Sequence, residues 1–429
     1  MNELLRARRA RAAAAWAHAD ELVLVGAGEP LSIPGGADQT FPYYAHAEYV
    51  WLAGRETIGG VVAFDPRDGW MDFVPPVTVA ERLWEGRTDA PSGVPLPELA
   101  GWLAARRGRP VVGLGVAPAG LASDPVRVAA LREMLMHARR PKDAAEFALL
   151  RDAARASAAG FAALVRSLKP GVTERALKAE LEAGFVRAGA ERPGYGSIVG
   201  SGPNSAVLHF DPSLRTVQPG DAVLVDAGAE VSRYTSDVTR TYRLKGGDDG
   251  FFRDLYALVL AVEEHGMAGC TAGAEWRDLH MAASLEIAAG LVELGILRGS
   301  AQDLVERDAQ ALFFPHGLGH MVGLGVRDAS GYLPGRVRSS RPGLSMLRTD
   351  LPLEPGYVMT VEPGIYFVPA LLDDPERRTK HRDDVVWDRV EKLEAFGGIR
   401  IEDNVLVTSG APENLTAGVP KALDAVLVG

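Results

Sequence analysis

Four acidic residues and one histidine in the C-terminal half of the chain have the chemistry to bind metal ions together. They stand in the contexts VLVDAGAE, YTSDVTRTY, HGLGHMVGLG, TVEPGIYF and GIRIEDNVLV, and they are Asp226, Asp237, His320, Glu362 and Glu402. Buried carboxylates without a cation cost several kcal/mol each or become protonated. Two divalent ions would remove that cost, and two metals roughly 3.5–4 Å apart are a known means of activating water for hydrolysis. The residue types therefore predict a dinuclear metal site.

The two aspartates lie in segments that read as neighbouring strands of one hairpin. VLVDAGAE and SRYTSDVTRTY both have strand-like composition. A turn centred on Val231 and Ser232 would pair Asp226 directly with Asp237, with their Cβ atoms about 5 Å apart on one face. Like charges directly opposite each other repel, so this arrangement requires a cation. The alternative is a solvated hairpin whose aspartates face water.

The remaining candidates show spacings that place their side chains together. His316 and His320 are four residues apart, which puts both on one side of a helix or of a strand. The glycines between them indicate a backbone that closely approaches another group. Glu362 closes an apolar strand before Pro-Gly, where a carboxylate needs a partner. Arg400 and Glu402 alternate with isoleucines and so share one face of a strand. The alternatives are a hydrogen-bonded core histidine and a surface ion pair between Arg400 and Glu402.

The donor set also restricts the kind of metal. Oxygen ligands with one imidazole suit a hard or borderline ion, so Mn²⁺ is the first choice, with Co²⁺ and Zn²⁺ as alternatives. An imidazole is a poor match for calcium. Cys270 is the single cysteine and lies outside the set, so a structural zinc site is not indicated.

The bulk composition is that of a soluble globular protein with more than one domain. The chain has 429 residues, of which 47% are hydrophobic and 24% charged, and no apolar run is long enough to span a bilayer. The net charge of −10 argues against nucleic-acid binding, which depends on neutralising phosphates. One cysteine cannot form an internal disulfide and suits the cytoplasm. We therefore expect a cytoplasmic protein with neither a nucleic-acid nor a membrane partner.

The elements that must position these residues can be placed along the chain. The Arg-rich start reads as a first helix leading into the strand LVLV rather than as a targeting segment. VVAF and WMDFV flank the turn DPRDG, and two helices follow, completing a small α/β domain that ends near residue 138. A second helical segment is predicted to start at Pro141, with Asp143 and Glu146 in its first turn, and to end near residue 170. Further helices are predicted at about 250–268 and 276–296, with strands between and after them.

With these residues placed, the chain resembles the proline-specific peptidases aminopeptidase P and prolidase, two-domain members of the methionine-aminopeptidase clan. The resemblance covers nearly the whole chain. It includes FPYYAHAEYVWLAG and ERLWEGRTD in the N-terminal part, and GYGSIVGSGPNSAVLHF and the segments around the five candidate metal ligands in the C-terminal part. It implies an α/β (α+β) protein of two domains. Residues 1–138 would form a non-catalytic, creatinase-like domain, and residues 139–429 a catalytic domain of the pita-bread fold.

The resemblance also implies a role for each candidate ligand. Asp226 would chelate the first metal, and Asp237 and Glu402 would bridge both metals. His320 and Glu362 would bind the second metal, and Glu362 would also act as the general base.

Further residues match positions around the metals in that family. His209 and His316 would steady the tetrahedral intermediate and the leaving nitrogen, while Tyr195 and Arg400 would line the site. The stretch RPGLSMLRTDLPLEPGYVMTVEPGIYF and the insert at 371–396 look like prolidase, in which the arginine matching Arg348 grips the free carboxylate of a dipeptide. The alternative is that Arg348 is a surface residue in a loop rich in proline and glycine.

One position departs from the family pattern. Where relatives read H-G-L-G-H-x-x-G-L-x-V-H-D, this chain has Arg327 in place of the last histidine. Arginine is longer, always charged and unable to shuttle protons near neutral pH. The hypothesis is that Arg327 provides a second contact to a substrate carboxylate and shifts activity toward dipeptides or toward removal of C-terminal residues.

Several functions remain open at this point. The leading interpretation is a dinuclear-metal Xaa-Pro dipeptidase that acts on small peptides and assembles as a homodimer or tetramer. The alternatives are an Xaa-Pro aminopeptidase on longer peptides, a dipeptidase or carboxypeptidase with specificity altered by Arg327, and a non-catalytic binding module. Creatinase has the same fold but no metal, and the complete set of five ligands argues against it.

Overall fold

The computed structural model of the protein describes residues 3–17, 20–89, 91–118, 120–121 and 123–428. The chain divides into two compact units, Met1–Arg140 and Pro141–Gly429. The predicted boundary after residue 138 lies two residues before this division. Both units combine helices with sheets, which confirms the predicted α/β (α+β) class. No helix in the described ranges is long and apolar enough to cross a membrane.

The N-terminal unit packs its helices around a sheet of five strands, counted over its described residues. In chain order its elements are α1 (Glu3–Ala15), β1 (Leu22–Gly26), α2 (Ala47–Ala53), β2 (Val61–Asp65), β3 (Gly69–Val74), α3 (Val79–Trp84), β4 (Val94–Pro95), α4 (Leu99–Ala104), β5 (Val111–Gly115) and α5 (Pro125–Arg139). The strand order is β4-β3-β2-β1-β5, with β1–β5 and β3–β4 parallel and the other pairs antiparallel. The predicted first helix, the strand LVLV and the hairpin at DPRDG are confirmed.

The C-terminal unit contains the long helices and four small sheets. Its helices are α6 (Ala144–Ser167), α7 (Glu174–Arg187), α8 (Gly250–Gly269), α9 (Trp276–Glu293), α10 (Ala301–Glu306), α11 (Pro342–Ser345), α12 (Pro369–Leu372), α13 (Pro375–Lys380), α14 (Trp387–Val390) and α15 (Leu423–Val426). Its strands are β6 (Arg192–Pro193), β7 (Ile198–Ser201), β8 (Ala222–Ala227), β9 (Ala229–Val231), β10 (Tyr234–Thr235), β11 (Val238–Leu244), β12 (Val358–Val361), β13 (Gly364–Tyr366), β14 (Gly398–Arg400), β15 (Asp403–Leu406), β16 (Glu413–Asn414) and β17 (Leu427–Val428). The sheet orders are β17-β11-β8-β7, β10-β9-β6, β12-β15-β16 and β13-β14.

One continuous apolar core holds this unit together. Helices α6 to α9 pack their buried faces against strands β8, β11, β12 and β15. Apolar residues recur every three to four positions along α6 and leave Leu150, Phe161 and Leu164 almost fully buried. The helices and strands of this unit therefore share one buried apolar core.

The start of α6 differs from its prediction. The helix begins at Ala144 rather than at Pro141, because Asp143 is its N-cap and not a residue of its first turn. The Asp143 carboxylate accepts hydrogen bonds from the backbone N–H groups of Ala145 and Glu146, and Glu146 accepts one in return from the Asp143 N–H. This reciprocal capping satisfies backbone donors that would otherwise be unpaired, so it fixes the helix start more strongly than the proline does.

The candidate residues cluster at strand ends in the C-terminal unit. Asp226 lies in β8, Asp237 immediately precedes β11, and Glu362 immediately follows β12. Arg400 ends β14, and Glu402 immediately precedes β15. The strands thus bring residues that are 176 positions apart in sequence, from Asp226 to Glu402, to one region of the fold.

Candidate active site

A single cavity of about 590 Å³ in the C-terminal unit is lined by all eleven residues that the sequence singled out. The side chains of these residues are acids, imidazoles, guanidiniums and one phenol. These residues are Tyr195, His209, Asp226, Asp237, His316, His320, Arg327, Arg348, Glu362, Arg400 and Glu402. The volume is in the range of small-molecule binding sites.

The predicted direct pairing of the two aspartates is wrong. The hairpin turns at Ser232 and Arg233, whose φ angles of 47° and 74° are those of a two-residue turn that requires positive φ at both positions. The turn lies one residue later than predicted, so Asp226 pairs with Thr239 rather than with Asp237. Asp237 is two residues before Thr239 and therefore a diagonal neighbour of Asp226 on the same face.

Tyr195 connects the two aspartates despite this shift in register. Its hydroxyl lies within hydrogen-bonding distance of Asp226 Oδ1, at 2.7 Å, and of Asp237 Oδ1. Burial, followed by the charges of Asp226 and Asp237, raises the pKa of Tyr195 well above its usual value, so the phenol stays protonated as a donor. The guanidinium of Arg400 donates to the other oxygen, Asp226 Oδ2, at 2.6 Å. Both oxygens of Asp226 are thus oriented by neighbouring donors.

Glu402 is oriented by the strand opposite it. The hydroxyl of Thr239 donates to Glu402 Oε2 at 2.6 Å and accepts from Nε of Arg400 at 3.1 Å. The side-chain amide of Asn404 holds the backbone of Asp237, accepting from its N–H at 2.9 Å and donating to its carbonyl at 2.7 Å. Thr239 therefore orients the Glu402 carboxylate, and Asn404 fixes the backbone of Asp237.

His320 reaches the carboxylates because its segment runs beside the end of β12. The His320 N–H donates to Thr360 Oγ1 at 3.0 Å, and the Glu362 N–H donates to the Leu318 carbonyl at 2.8 Å. Gly319 makes this approach feasible, since a Cβ there would lie 2.0 Å from the Thr360 carbonyl oxygen. The predicted close approach of the glycine-containing segment is confirmed, and it places His320 and Glu362 side by side.

The geometry of His320 matches that of a metal ligand. Nδ1 lies 3.0 Å from the Met321 carbonyl, a contact that assigns the proton to Nδ1. Nε2 then has a free lone pair, and it lies 3.5 Å from Asp237 Oδ2 and 3.7 Å from Glu362 Oε1. Burial, followed by the charge of Arg327, lowers the pKa of His320 to about 3, so the imidazole is neutral. A neutral imidazole with one nitrogen held by a carbonyl is the form that binds metals.

The electrostatics of the acids call for cations. One ligand atom each from Asp237, His320 and Glu402 lies within 4.8 Å of the others, and all three residues are buried. Burial and the neighbouring carboxylates raise the pKa of Asp237 and of Glu402 well above the usual range. Burial likewise raises the pKa of Glu362 to about 7. A neutral histidine cannot balance these charges, so divalent ions fit this donor set.

His316 faces the cavity in a network that includes a residue the sequence reasoning missed. Its Nδ1 lies 2.9 Å from the Gly317 carbonyl, and its Nε2 lies 2.9 Å from the hydroxyl of Tyr366. That hydroxyl also accepts from Nη1 of Arg400 at 2.9 Å. Burial, followed by the charge of Arg400, lowers the pKa of His316 to about 3. Tyr366 therefore joins His316 to Arg400 and orients both.

Tyr366, Thr239 and Asn404 are three residues of the site that sequence reasoning did not identify. Tyr366 gave one usable signal, because a phenol in the apolar strand GIYF needs a hydrogen-bond partner when buried. Thr239 and Asn404 gave none, since their roles depend on which strands pair. Such roles are properties of the sheet and not of the local sequence.

Two arginines at the cavity have no partner in the described part of the chain. The guanidiniums of Arg327, which is exposed, and Arg348, which is half-buried, make neither a hydrogen bond nor an ion pair there. Burial, followed by the charge of Arg327, lowers the pKa of Arg348 and also that of His209. The two arginines are thus close enough to repel each other, and each is available to an anion.

Comparison with known proteins relates the whole chain to peptidases. Residues 148–409 match the model of metallopeptidase family M24. The chain is 33% identical to an Xaa-Pro dipeptidase of Xanthomonas campestris pv. campestris, with 94% of this chain and 95% of that protein covered. It is 31% identical to a probable Xaa-Pro aminopeptidase of Tuber melanosporum, with 91% and 88% covered.

Solved structures show the same relationship. The chain superposes on proline aminopeptidase P II from Yersinia pestis with a TM-score of 0.78 and 28% identity, with 99% of this chain and 98% of that one covered. Against the low-pH form of aminopeptidase P from Escherichia coli the TM-score is 0.80 at 26% identity, with 99% and 97% covered. The resemblance to the proline-specific peptidases and the two-domain fold that it implied are both confirmed.

Proposed function

The chain belongs to metallopeptidase family M24, and from that premise we propose that it hydrolyses Xaa-Pro peptide bonds with two divalent metal ions bound in the cavity. It is a peptidase, since both the family and the relatives over the whole chain are peptidases. The observation that supports this proposal most is the convergence of four carboxylates and a neutral imidazole on one cavity.

The ligand roles follow the peptidases that the chain resembles. Asp237 and Glu402 would be shared by both ions, and each has a ligand atom within 4.8 Å of one on His320. Asp226 would complete the first site, and His320 and Glu362 would complete the second. Mn²⁺ is the proposed ion, with Co²⁺ or Zn²⁺ as substitutes, on the basis of the oxygen-rich donor set.

The protein's own side chains supply proton transfer and orientation. Bound divalent ions supply charge that polarises a carbonyl and activates water. Glu362 lines the cavity beside His320, with Oε1 3.7 Å from Nε2 of that residue, and it is the proposed general base. His316 is neutral, and its hydrogen bond to Tyr366 fixes the face that it presents to substrate. His209 lies at the exposed side of the cavity, where we propose that it steadies the developing charge on the substrate.

We propose that the preferred substrates are dipeptides. A dipeptide presents a free carboxylate one residue beyond the bond that is cut, and Arg348 is an unpaired guanidinium in the cavity wall. Guanidinium and carboxylate groups bind each other with two parallel hydrogen bonds, so the pair gives both affinity and orientation. Arg327 is a second arginine on the cavity wall, and we propose that it contacts the same carboxylate beside Arg348 or from its outer side. Aminopeptidase activity on longer peptides is the second candidate, since relatives of both kinds match the chain.

A substrate panel tests the proposal. Purified protein, freed of metal and then loaded with Mn²⁺, Co²⁺ or Zn²⁺, is assayed on an Xaa-Pro dipeptide, an Xaa-Pro-Xaa tripeptide and an Xaa-Ala dipeptide. We expect fastest hydrolysis of the Xaa-Pro dipeptide with Mn²⁺. Preference for the tripeptide would favour the aminopeptidase, and equal rates on the Xaa-Ala dipeptide would reject proline specificity.

The remaining assignments concern the molecule around the site. We propose that residues 139–429 form the catalytic domain and residues 1–138 a non-catalytic one, on the ground that every cavity residue belongs to the C-terminal unit. A homodimer or tetramer is the proposed assembly, and the cytoplasm the proposed location. Sedimentation measurements on the metal-loaded protein test the assembly.

A further inference from the structure

Glu402 and the first two residues of β15, Asp403 and Asn404, face different environments. Glu402 points into the cavity, and the amide of Asn404 holds the backbone of Asp237. Asp403 lies between them and, because strand side chains alternate, faces the opposite side, where it is fully buried. Its backbone pairs with Val361, which precedes Glu362. A displacement of Asp403 would therefore move three proposed metal ligands at once.

Asp403 is held on its buried side by two cations. Arg240 Nη2 donates to Asp403 Oδ1 at 2.8 Å, and Lys421 Nζ donates to Asp403 Oδ2 at 2.7 Å. Lys421 also donates to both carboxylate oxygens of Glu263, at 2.9 Å and 2.7 Å. The result is a chain of alternating charges that runs Arg240–Asp403–Lys421–Glu263. We call these four residues the charge network.

Arg240 connects this network directly to the backbone of the metal-site strands. Its Nη1 donates to the carbonyl of Thr239 at 2.8 Å and to the carbonyl of Glu402 at 2.7 Å. Thr239 is the residue whose hydroxyl orients the Glu402 carboxylate. Arg240 is fully buried, so it cannot exchange these partners for water. Both strands that flank Glu402 are thus fastened to the charge network.

The cost of such a network indicates that it does more than stabilise the fold. Taking these acidic and basic side chains out of water, completely for Arg240, Asp403 and Glu263 and in large part for Lys421, is costly, and apolar residues of similar volume would often be at least as stable. The carboxylates of the neighbouring cavity repel one another, and they would move apart without a rigid support. A network of directed, charge-assisted hydrogen bonds supplies that rigidity.

We propose that the charge network positions Glu402 and Asp237 for metal binding, with Asp403 as its central positioning residue and Lys421 as its outer anchor. The inference rests on the proposed function, since it concerns the same metal ligands. None of the four residues lines the cavity, so none touches substrate or metal. Their effect passes through the backbone of residues 402–404 and through Asn404.

Lys421 gives the sharpest test because its partly exposed side chain tolerates exchange. Lys421→Met removes the charge and keeps the length, and Lys421→Arg keeps the charge. Arg151→Met is the matched control, since Arg151 forms an exposed pair with Glu413 that lies outside the cavity. Each variant is purified without metal and measured by Mn²⁺ titration calorimetry and by steady-state hydrolysis of an Xaa-Pro dipeptide.

The expected results separate a positioning role from a general loss of stability. Loss of a group that orients metal ligands typically lowers metal affinity or activity by 10- to 100-fold. For Lys421→Met we expect about a 10-fold loss in affinity for the weaker Mn²⁺ and about a 10-fold loss in kcat, with KM within about 2-fold. Lys421→Arg should restore most of both, and Arg151→Met should match the unmodified protein. A folded Lys421→Met protein with unchanged Mn²⁺ affinities and kcat would overturn the inference.

Two further measurements keep the test decisive. If Lys421→Met does not fold, the double variant Glu263→Gln, Lys421→Met removes one acid and one base together and should show the same losses. A crystal structure of the metal-free folded variant should show the carboxylates of Glu402 and Asp237 displaced, and unchanged positions would refute the positioning role. Failure of the unmodified protein to bind two Mn²⁺ would reject the proposed function instead, and the crystallographic comparison would still decide this inference.

Discussion

At the scale of single residues, the site is a balance of charges that the protein alone does not complete. Asp237 and Glu402 are buried and their pKa values are raised, and the histidine beside them, His320, is held neutral. The only fully paired guanidinium on the cavity wall that contacts the acids of the cavity, within the described residues, is Arg400, which binds Asp226. Bound divalent cations would complete the balance, which makes metal binding the first consequence to test.

Asp237→Asn should nearly abolish activity while leaving the fold intact. The substitution keeps the shape of the side chain but removes a proposed bridging charge, so at least one ion loses a ligand. We expect kcat/KM to fall by more than about 100-fold, beyond the loss typical of residues that only orient ligands, with less than two Mn²⁺ bound per chain. Asp254→Asn on the exposed face of α8 is the control and should behave normally. Substantial turnover with two ions bound would refute the ligand assignment.

Arg327→Gln should selectively impair substrates with a free carboxylate. A hydrogen bond to a charged group contributes about 1.5–3 kcal/mol, which corresponds to a roughly 10- to 100-fold loss in kcat/KM when it is removed. We expect that loss on a free Xaa-Pro dipeptide and a much smaller one on its C-terminal amide. Arg298→Gln, at an exposed arginine outside the cavity, serves as the control. Equal losses on the free and amidated peptides would exclude a role in carboxylate binding.

At the scale of elements, the site is assembled where irregular segments lie against strand ends. The segment from His316 to His320 contains two glycines, of which Gly319 packs against the Thr360 carbonyl and Gly317 does not have a comparably close contact. The sequence predicted this close approach from the glycines alone. It could not predict that the partner is the end of β12, because strand pairing over forty residues is not encoded locally.

Gly319→Ala should therefore displace His320, whereas Gly317→Ala should not alter the fold. The Gly319 substitution would place a Cβ 2.0 Å from the Thr360 carbonyl oxygen, while the nearest atom to a Cβ at Gly317 is 3.4 Å away. Overpacking of this kind costs about 1–3 kcal/mol. We expect a lower Tm and weaker Mn²⁺ binding for Gly319→Ala, and a Tm close to that of the unmodified protein for Gly317→Ala. Identical Tm values in thermal unfolding would show that the backbone relaxes freely here.

The hairpin shows where local reasoning fails. Both aspartates were assigned to strands, and the structure places both at the ends of strands facing one cavity. The turn, however, is set by positive φ at Ser232 and Arg233, which neither residue type strongly favours. A shift of one residue in the turn changes the partner of every strand residue. The two carboxylates still share one face as diagonal neighbours, and the Tyr195 hydroxyl, from a third segment, lies within hydrogen-bonding distance of both.

At the scale of the whole molecule, the buried acids connect metal binding to stability. Between about pH 7 and 8.5 the histidines of the unfolded chain are neutral, so their lowered pKa values no longer contribute. Burial, followed by the charges of neighbouring carboxylates, raises the pKa values of Asp237 and Glu402 well above the usual range. In this range the folded chain holds more protons than the unfolded one, so the free energy of unfolding must fall as pH rises.

The metal-free protein should accordingly lose stability from pH 7 to 8.5. We expect its Tm, measured in the presence of a chelator, to decrease across this range. Saturating Mn²⁺ should reduce the decrease, because the ions replace protons at Asp237 and Glu402. A Tm that stays constant or rises with pH in the chelator would show that the pKa values of these acids are not raised in the folded protein.

At this scale, the sequence predicts the candidate ligands and the fold class but not the contacts that join distant segments of the chain. The five candidate ligands and the mixed α/β class could be predicted from residue types and spacings, because a charged residue next to an apolar strand is conspicuous in a sequence. The charge network was not predicted, since Arg240, Asp403, Lys421 and Glu263 are each ordinary charged residues in their local contexts. Their connection depends on packing between α8, β11, β15 and the C-terminal segment, which only the fold reveals.

The most direct test of the central claim is anomalous diffraction from crystals of the protein grown with Mn²⁺. We predict two anomalous peaks per chain, one beside Asp226 and one beside His320, with Asp237 and Glu402 between them. Data collected from metal-free crystals provide the baseline. An absence of peaks in this cavity at saturating Mn²⁺, or a single peak elsewhere in the molecule, would contradict the account.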